Sequence, residues 1–228
     1  MGKPLATAAP TALPMRPARQ KILSDARRQH VLDAARAVFL ELGLEGTSVR
    51  EIAQRAGYTP GAIYSYFASK EEVYAALLSE SMERLTDAML EATKSTRITS
   101  ARRLANGANA LFQFYAENPR DLDLGFYLFQ GMQPRGLTPE LNEQLNASLR
   151  GALLPLDGAL RELGMSEAQA LAEVTALFAH AVGLLVLSHT GRIRMFRQKS
   201  SDLFGSYLEH LEARALHAST ASDPSQKP

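Results

Sequence analysis

The stretch GYTPGAIYSYFASKEE, Gly57 to Glu72, places a proline, two glycines and four aromatic residues within sixteen positions. A helix interior excludes that proline, and a solvated loop does not gather Ile63, Tyr64, Tyr66 and Phe67. The conflict disappears if two short helices meet at the turn AGYT. Ser48, with Glu51 three residues later, is a capping-box signature for the first helix. Ile52, Ala53 and Ala56 are its inner face, and Gly57 supplies the left-handed turn that ends it. Thr59 then caps a second helix with Pro60 at its first position, where the missing N–H costs nothing. Ile63 and Phe67 lie four residues apart and share the face that docks inward. Thr59, Pro60, Gly61, Tyr64 and Ser65 are left facing out. Ser69, with Glu72, caps the long helix that follows.

This is a helix-turn-helix pattern, and a short outward helix with a polar tip is what a major groove accepts. The hydroxyls of Tyr64 and Tyr66 can donate to phosphate oxygens. Lys70, at the start of the next helix, is expected to clamp a phosphate together with the helix terminus. The charge distribution agrees. Residues 1–70 carry ten Lys/Arg against five Asp/Glu, and residues 71–228 carry fifteen against nineteen. The first part therefore suits a polyanion.

Elsewhere the chain reads as helix, giving an all-α fold. Val31, Leu32, Ala35, Val38, Phe39 and Leu42 form one stripe from Ser24 to the stop at Gly43. Further helices are expected near Ser69–Thr93, Ser100–Glu117, Pro119–Gln130, Thr138–Leu163 with a bend at Pro155, Ser166–Thr190 and Lys199–Leu216. Between Leu171 and Leu187 the apolar residues surround the helix, so it should be covered on all sides, one side by a second subunit. The Pro/Ala-rich start and the polar end read as disordered tails. The expected division is a tail at 1–21, a helix-turn-helix domain at 22–70, a helical domain at 71–217 and a tail at 218–228.

Several function classes are disfavoured. Without cysteine there is no disulfide and no thiolate metal site. No glycine-rich phosphate loop, nucleophile elbow or paired histidine motif stands out, so no enzyme, metal or cofactor is expected. Four prolines interrupt the first twenty residues, which argues against a signal peptide. The apolar run Ala176–Leu187 falls short of the ~20 residues that span a bilayer. A cytoplasmic protein with no membrane partner is expected.

The segment TSVREIAQRAGYTPGAIYSYFASKEEVYAALL, Thr47 to Leu78, resembles the DNA-binding signature of the tetracycline-repressor (TetR) family, and VLDAARAVFLELGLEGTS before it resembles that family's first helix. Tyr58, Thr59 and Tyr66 depart from the usual valine, serine and histidine. The resemblance implies a three-helix DNA-binding domain followed by a helical effector-binding and dimerisation domain. It places Ser48, Arg50, Thr59, Pro60, Gly61, Tyr64, Ser65, Tyr66 and Lys70 at the DNA surface. It implies a repressor that binds a palindromic double-stranded operator as a homodimer and is released by a small-molecule effector. A helical adaptor that uses the fold without DNA is the alternative. Phe112, Tyr115, Phe126, Tyr127, Phe129 and Met132 are candidates for lining an effector pocket; His180, within the most apolar helix, is a further one.

Overall fold

The computed structural model describes residues 16–126 and 137–221. Among them there is no strand. Helix α1 runs Arg16–Gly46, α2 Val49–Ala56, α3 Pro60–Tyr64 and α4 Lys70–Thr93. Then come α5 Ser100–Glu117, α6 Pro119–Phe126, α7 Pro139–Glu162, α8 Glu167–His189, a 3-10 turn at Arg192–Phe196, and α9 Ser200–Ala221.

Two apolar cores organise these helices. In the head, Val31, Leu32, Ala35, Val38 and Phe39 of α1 meet Ile52 and Ala53 of α2, then Ile63, Phe67 and the start of α4. The expected stripe on α1 is correct except at its end. Gly43 breaks the helix at φ 71°, where a side chain is disfavoured. The break changes the helical phase, so Leu44 is fully buried and Leu42 is left 47% exposed. The Thr47 hydroxyl donates to the Gly43 carbonyl at 2.6 Å and fixes that break.

In the body, α4, α5, α7, α8 and α9 share the second core. Gly107 of α5 lets the helices close up, because a Cβ there would meet Leu156 Cδ2 at 2.8 Å and Thr93 Cγ2 at 3.1 Å. Helix α7 continues through Pro155.

The expected division at residue 70 needs correction. Val73, Tyr74, Leu77 and Leu78 of α4 belong to the head core, while Met82, Leu85 and Met89 belong to the body core. Helix α6 is shared too, with Leu122 in the body core and Leu124 in the head core. The tails also begin elsewhere: α1 starts at Arg16, inside the expected 1–21 tail, and α9 extends to Ala221.

In the single chain, helix α8 is covered along one side. It buries Ala170, Val174, Leu177, Ala181, Leu184 and Leu185. Its other face, with Ala172, Thr175, Ala176, Ala179 and Gly183, is exposed. The apolar run taken for a short one lies within 23 helical residues, long and apolar enough to cross a membrane by length and composition alone. Its inner face instead packs into the bundle core.

Candidate nucleic-acid interface and effector cavity

Helix α2 begins with a complete capping box. The Ser48 hydroxyl accepts from Glu51 N–H, and the Glu51 carboxylate accepts from Ser48 N–H at 2.7 Å. Gly57 closes it at φ 69°, with its N–H bonded to the Ala53 and Gln54 carbonyls. Thr59 then takes the Ala62 N–H on its hydroxyl, and Pro60 occupies the first turn of α3. Ile63 is fully buried and Phe67 is 4% exposed, so α3 is pinned from beneath. Thr59, Pro60, Gly61, Tyr64 and Ser65 remain exposed, with Tyr64 at 57%. No atom lies within 4 Å of a Cβ built on Gly61, so the backbone there is open to an approaching ligand.

The polar side chains around α3 do not all keep their expected freedom. Ser48 is exposed, but its hydroxyl is engaged with Glu51. Ser65 donates its hydroxyl to the Ala62 carbonyl at 2.7 Å. Arg50 is exposed on α2 and has no ion-pair partner among the described residues. Two further side chains are less free than expected. Tyr66 is half-buried and lines a groove with Arg28, Ala76, Leu141 and Leu145, on the side of α4 and α7. Lys70 does not present a free ammonium. Its Nζ donates to the carbonyls of Leu44 at 2.7 Å, Thr47 at 2.9 Å and Glu45 at 3.3 Å. An ammonium has three donors, and these contacts account for all of them.

Where head meets body, a set of polar contacts was invisible in the sequence. The Tyr74 hydroxyl, buried in the head core, donates to the Leu124 carbonyl of α6 at 2.5 Å. Asp121, 4% exposed, accepts from Arg84 of α4 at 2.8 Å and lies 4.0 Å from Arg36 of α1. Arg36 also reaches Glu80 at 3.4 Å. A buried carboxylate is tolerable only with such partners. The partners are separated by many tens of residues. Asp121 alone reads as an ordinary acid in a helix first turn.

The pocket candidates divide. Tyr115 and Phe126 line a cavity of about 80 Å³ with Leu78, Met82, Gly125, Leu145 and Leu149, and with the amides Asn142 and Asn146. Burial raises the Tyr115 phenol well above its usual range, with the Asp121 charge adding to it. Phe112 stacks on Phe204 at 4.4 Å, across α5 and α9, and both rings line a separate cavity of about 450 Å³ with Asn106, Asn109 and Gln113. His180 is not among the residues lining either cavity; its ring stacks on Tyr207 at 4.3 Å. Tyr127, Phe129 and Met132 lie outside the described residues.

Comparison with known proteins bears on this arrangement. The family profile "Bacterial regulatory proteins, tetR family" matches residues 31–77. The fatty acid metabolism regulator protein of Bacillus subtilis (strain 168) is 32% identical over 132 residues, 58% of this chain and 65% of its own length. The transcriptional repressor KstR2 of Mycobacterium tuberculosis is 48% identical over 54 residues, 24% of this chain and 27% of that protein. The chain thus spans less than two thirds of these relatives. Among solved structures, FadR from Bacillus subtilis in complex with stearoyl-CoA superposes with a TM-score of 0.62 at 25% identity, covering 79% of this chain and 95% of that one. A regulator from Marinobacter aquaeolei VT8, 20% identical with a TM-score of 0.62, shares the fold over 88% of this chain and 97% of its own. The profile takes in the whole of the turn and both of its helices, so residues 31–77 match the tetR family of bacterial regulatory proteins, and beyond them the body is similar in fold to FadR nearly end to end.

Proposed function

We propose that the protein is a ligand-responsive transcriptional regulator, a repressor that binds a palindromic operator as a homodimer. The observation that carries this reading is the exposed tip of α3, with Tyr64 outward over the buried anchors Ile63 and Phe67. Thr59, Pro60, Gly61, Tyr64 and Ser65 enter the groove, and Arg50 meets the backbone beside it. Ser48 contributes by holding α2 in place. Lys70 and Tyr66 act by shaping the head.

The exposed small-residue face of α8, beside α9, receives a second copy of the chain. Its small side chains allow close helix approach, and a two-fold four-helix contact covers them. The two recognition helices of that dimer enter successive major grooves, with centres ~34–36 Å apart.

The effector enters between α4, α5, α6 and α7. The cavity of about 80 Å³ is far smaller than the ~300–1,000 Å³ of ordinary ligand sites, so the ligand must widen it. Its walls are apolar with two amides at α7, a chemistry suited to an acyl chain; the stearoyl-CoA held by the Bacillus subtilis neighbour supports this choice. Widening the cavity displaces α6, which touches both cores, and so changes the attitude of the head. Shifting a 99:1 population to 1:99 requires ~5.5 kcal/mol of differential affinity.

The test is footprinting of the purified protein on DNA flanking its own gene, with and without stearoyl-CoA. A symmetric protected site that is lost on adding the thioester is the expected result. Absence of any sequence-preferring complex, in either state, favours the adaptor reading.

A further inference from the structure

Helix α1 begins well before the part of it that the family profile matches, which starts at residue 31. Two contacts fix where this earlier segment leaves the head. The Arg28 guanidinium lies over the Phe67 ring at 4.9 Å, beside the link between α3 and α4. His30 places Nε2 3.0 Å from the Ala56 carbonyl and packs edge-on against Tyr58 at 5.7 Å, on the turn that precedes α3. The helix therefore passes the recognition element at both of its ends and continues beyond it.

From Arg19 to Arg27 every residue is exposed. No core lies beneath these turns to account for their being helical. Arg19, Lys21 and Arg27 carry charge there, with Asp25 as the sole acid between residues 19 and 28. None of the three cations has an ion-pair partner among the described residues, although Arg36, Arg55, Arg84, Arg103, Arg161 and Arg214 do. Lys21 lies seven residues before Arg28, on the same side of the helix.

We propose that these first turns of α1 are a second DNA-contacting element, which grips backbone phosphates flanking the bases that α3 reads. Unpaired cations next to a groove-reading helix meet the same polyanion as that helix, and phosphate contacts of this kind add affinity without sequence information. The proposal rests on the DNA-binding reading above. The exposed Ile22 and Leu23, at 67% and 50%, make an anionic lipid surface the competing occupant; the contiguity with the recognition element favours DNA.

The experiment uses the full chain and a duplex selected by it from a randomised library. The variant Arg19→Ala/Lys21→Ala/Arg27→Ala is compared with the wild type in a salt titration and in hydroxyl-radical footprinting. Each lost phosphate contact lowers the slope of log affinity against log salt by ~0.9, so a fall of up to ~2.7 per protomer is expected. Protection of flanking phosphates is lost, base preference is kept, and Arg19→Lys/Arg27→Lys behaves as wild type. Circular dichroism and the unfolding midpoint monitor the fold. An unchanged slope with an unchanged footprint overturns the proposal. So does loss of binding to phosphatidylserine vesicles in the triple variant while DNA binding is unaltered, which assigns the segment to membranes. If the wild type itself selects no duplex, the DNA-binding reading fails along with it, an outcome visible before any variant is compared.

Discussion

The ammonium of Lys70, the first residue of α4, donates to the carbonyl of Leu44 at 2.7 Å, just beyond the break in α1. With Thr47 and Glu45 it collects three carbonyls between the break in α1 and the start of α2. The same side chain thus ties the third inter-helix joint to the first and sets the angle at which α2 and α3 leave α1. A hydrogen bond to a charged group contributes about 1.5–3 kcal/mol. Lys70→Met is expected to destabilise the head by about 2 kcal/mol. Urea unfolding followed by head-specific amide exchange measures this. The slope of DNA affinity against salt should remain that of the wild type while the head is folded; a lower slope would return Lys70 to the phosphate backbone.

Tyr64 and Ile63 are neighbours with opposite tasks, which separates folding from recognition. Tyr64→Ala removes an exposed ring and should leave stability within ~0.5 kcal/mol, while DNA affinity falls sharply. Ile63→Ala empties a fully buried position and should cost about 2–5 kcal/mol. Thermal unfolding and gel shift on the same two variants give the comparison. A Tyr64→Ala protein with wild-type affinity would remove α3 from the interface.

Much of the head was legible because its instructions are local. Ser48 with Glu51, Gly57, and Thr59 with Pro60 each act within four residues, so caps and turn were readable from spacing. The alternation between Ile63 and Tyr64 likewise follows from helical geometry alone. What was misread depends on contacts distant in sequence. Nothing around Lys70 announces that Leu44 lies within reach, and a basic residue at a helix start looks the same whether it meets a phosphate or a carbonyl. Leu42 was misplaced because the consequence of Gly43 is a phase change, and its direction is set by tertiary packing. The boundary at residue 70 failed because α4 is continuous while the cores divide along its length. In the body, aromatic residues at helical spacing could not be sorted between cavities: Phe112 stacks on Phe204 beside one, while Tyr115 and Phe126 line another.

Asp121 joins the three elements whose relative placement would carry a signal from body to head. It bonds Arg84 and approaches Arg36, and it lies in the first turn of α6, three residues before the Leu124 carbonyl that holds Tyr74. Asp121→Asn keeps the shape but removes the charge facing two guanidinium groups. A loss of about 2 kcal/mol is expected, given that Arg84 remains partly open to water. The effect on regulation should exceed the effect on fold: the ratio of operator affinities without and with stearoyl-CoA falls towards unity. Equal ratios in variant and wild type would exclude this carboxylate from the coupling.

His180 gives the body an acid-sensitive position. Burial lowers its imidazole below the ordinary value, opposed by a bond with the backbone of Leu203. Its ring faces Tyr207 and Phe204, with Arg214 over Tyr207 and Glu173 paired to that arginine. The unfolded imidazole titrates near ~6.5. Between that value and the lower one in the fold, the unfolded chain binds more protons, so stability rises with pH across the window. This loss accordingly starts as pH falls through ~6.5 and is complete below the folded value. His180→Phe keeps the stack and should flatten that limb of a stability profile measured from pH ~5 to ~8. A limb of undiminished slope would place the acid sensitivity elsewhere.

The outer face of α8 tests the assembly. Ala172, Ala176, Ala179 and Gly183 are exposed at three- and four-residue steps, so they form one smooth strip along the helix. If a second copy lies on it, the helices approach closely and a large charged side chain at the centre has no room. Ala176→Arg should then give a folded monomer, because the position is exposed in the single chain and the substitution disturbs no internal contact. Sedimentation equilibrium reads the mass, and circular dichroism checks the fold. The monomer should bind a single half-site weakly and lose the cooperative operator complex, since both heads are needed to span two successive grooves. Ala172→Arg, one turn along, should act in the same direction. A dimer that survives both substitutions would move the subunit contact to a different face of the body.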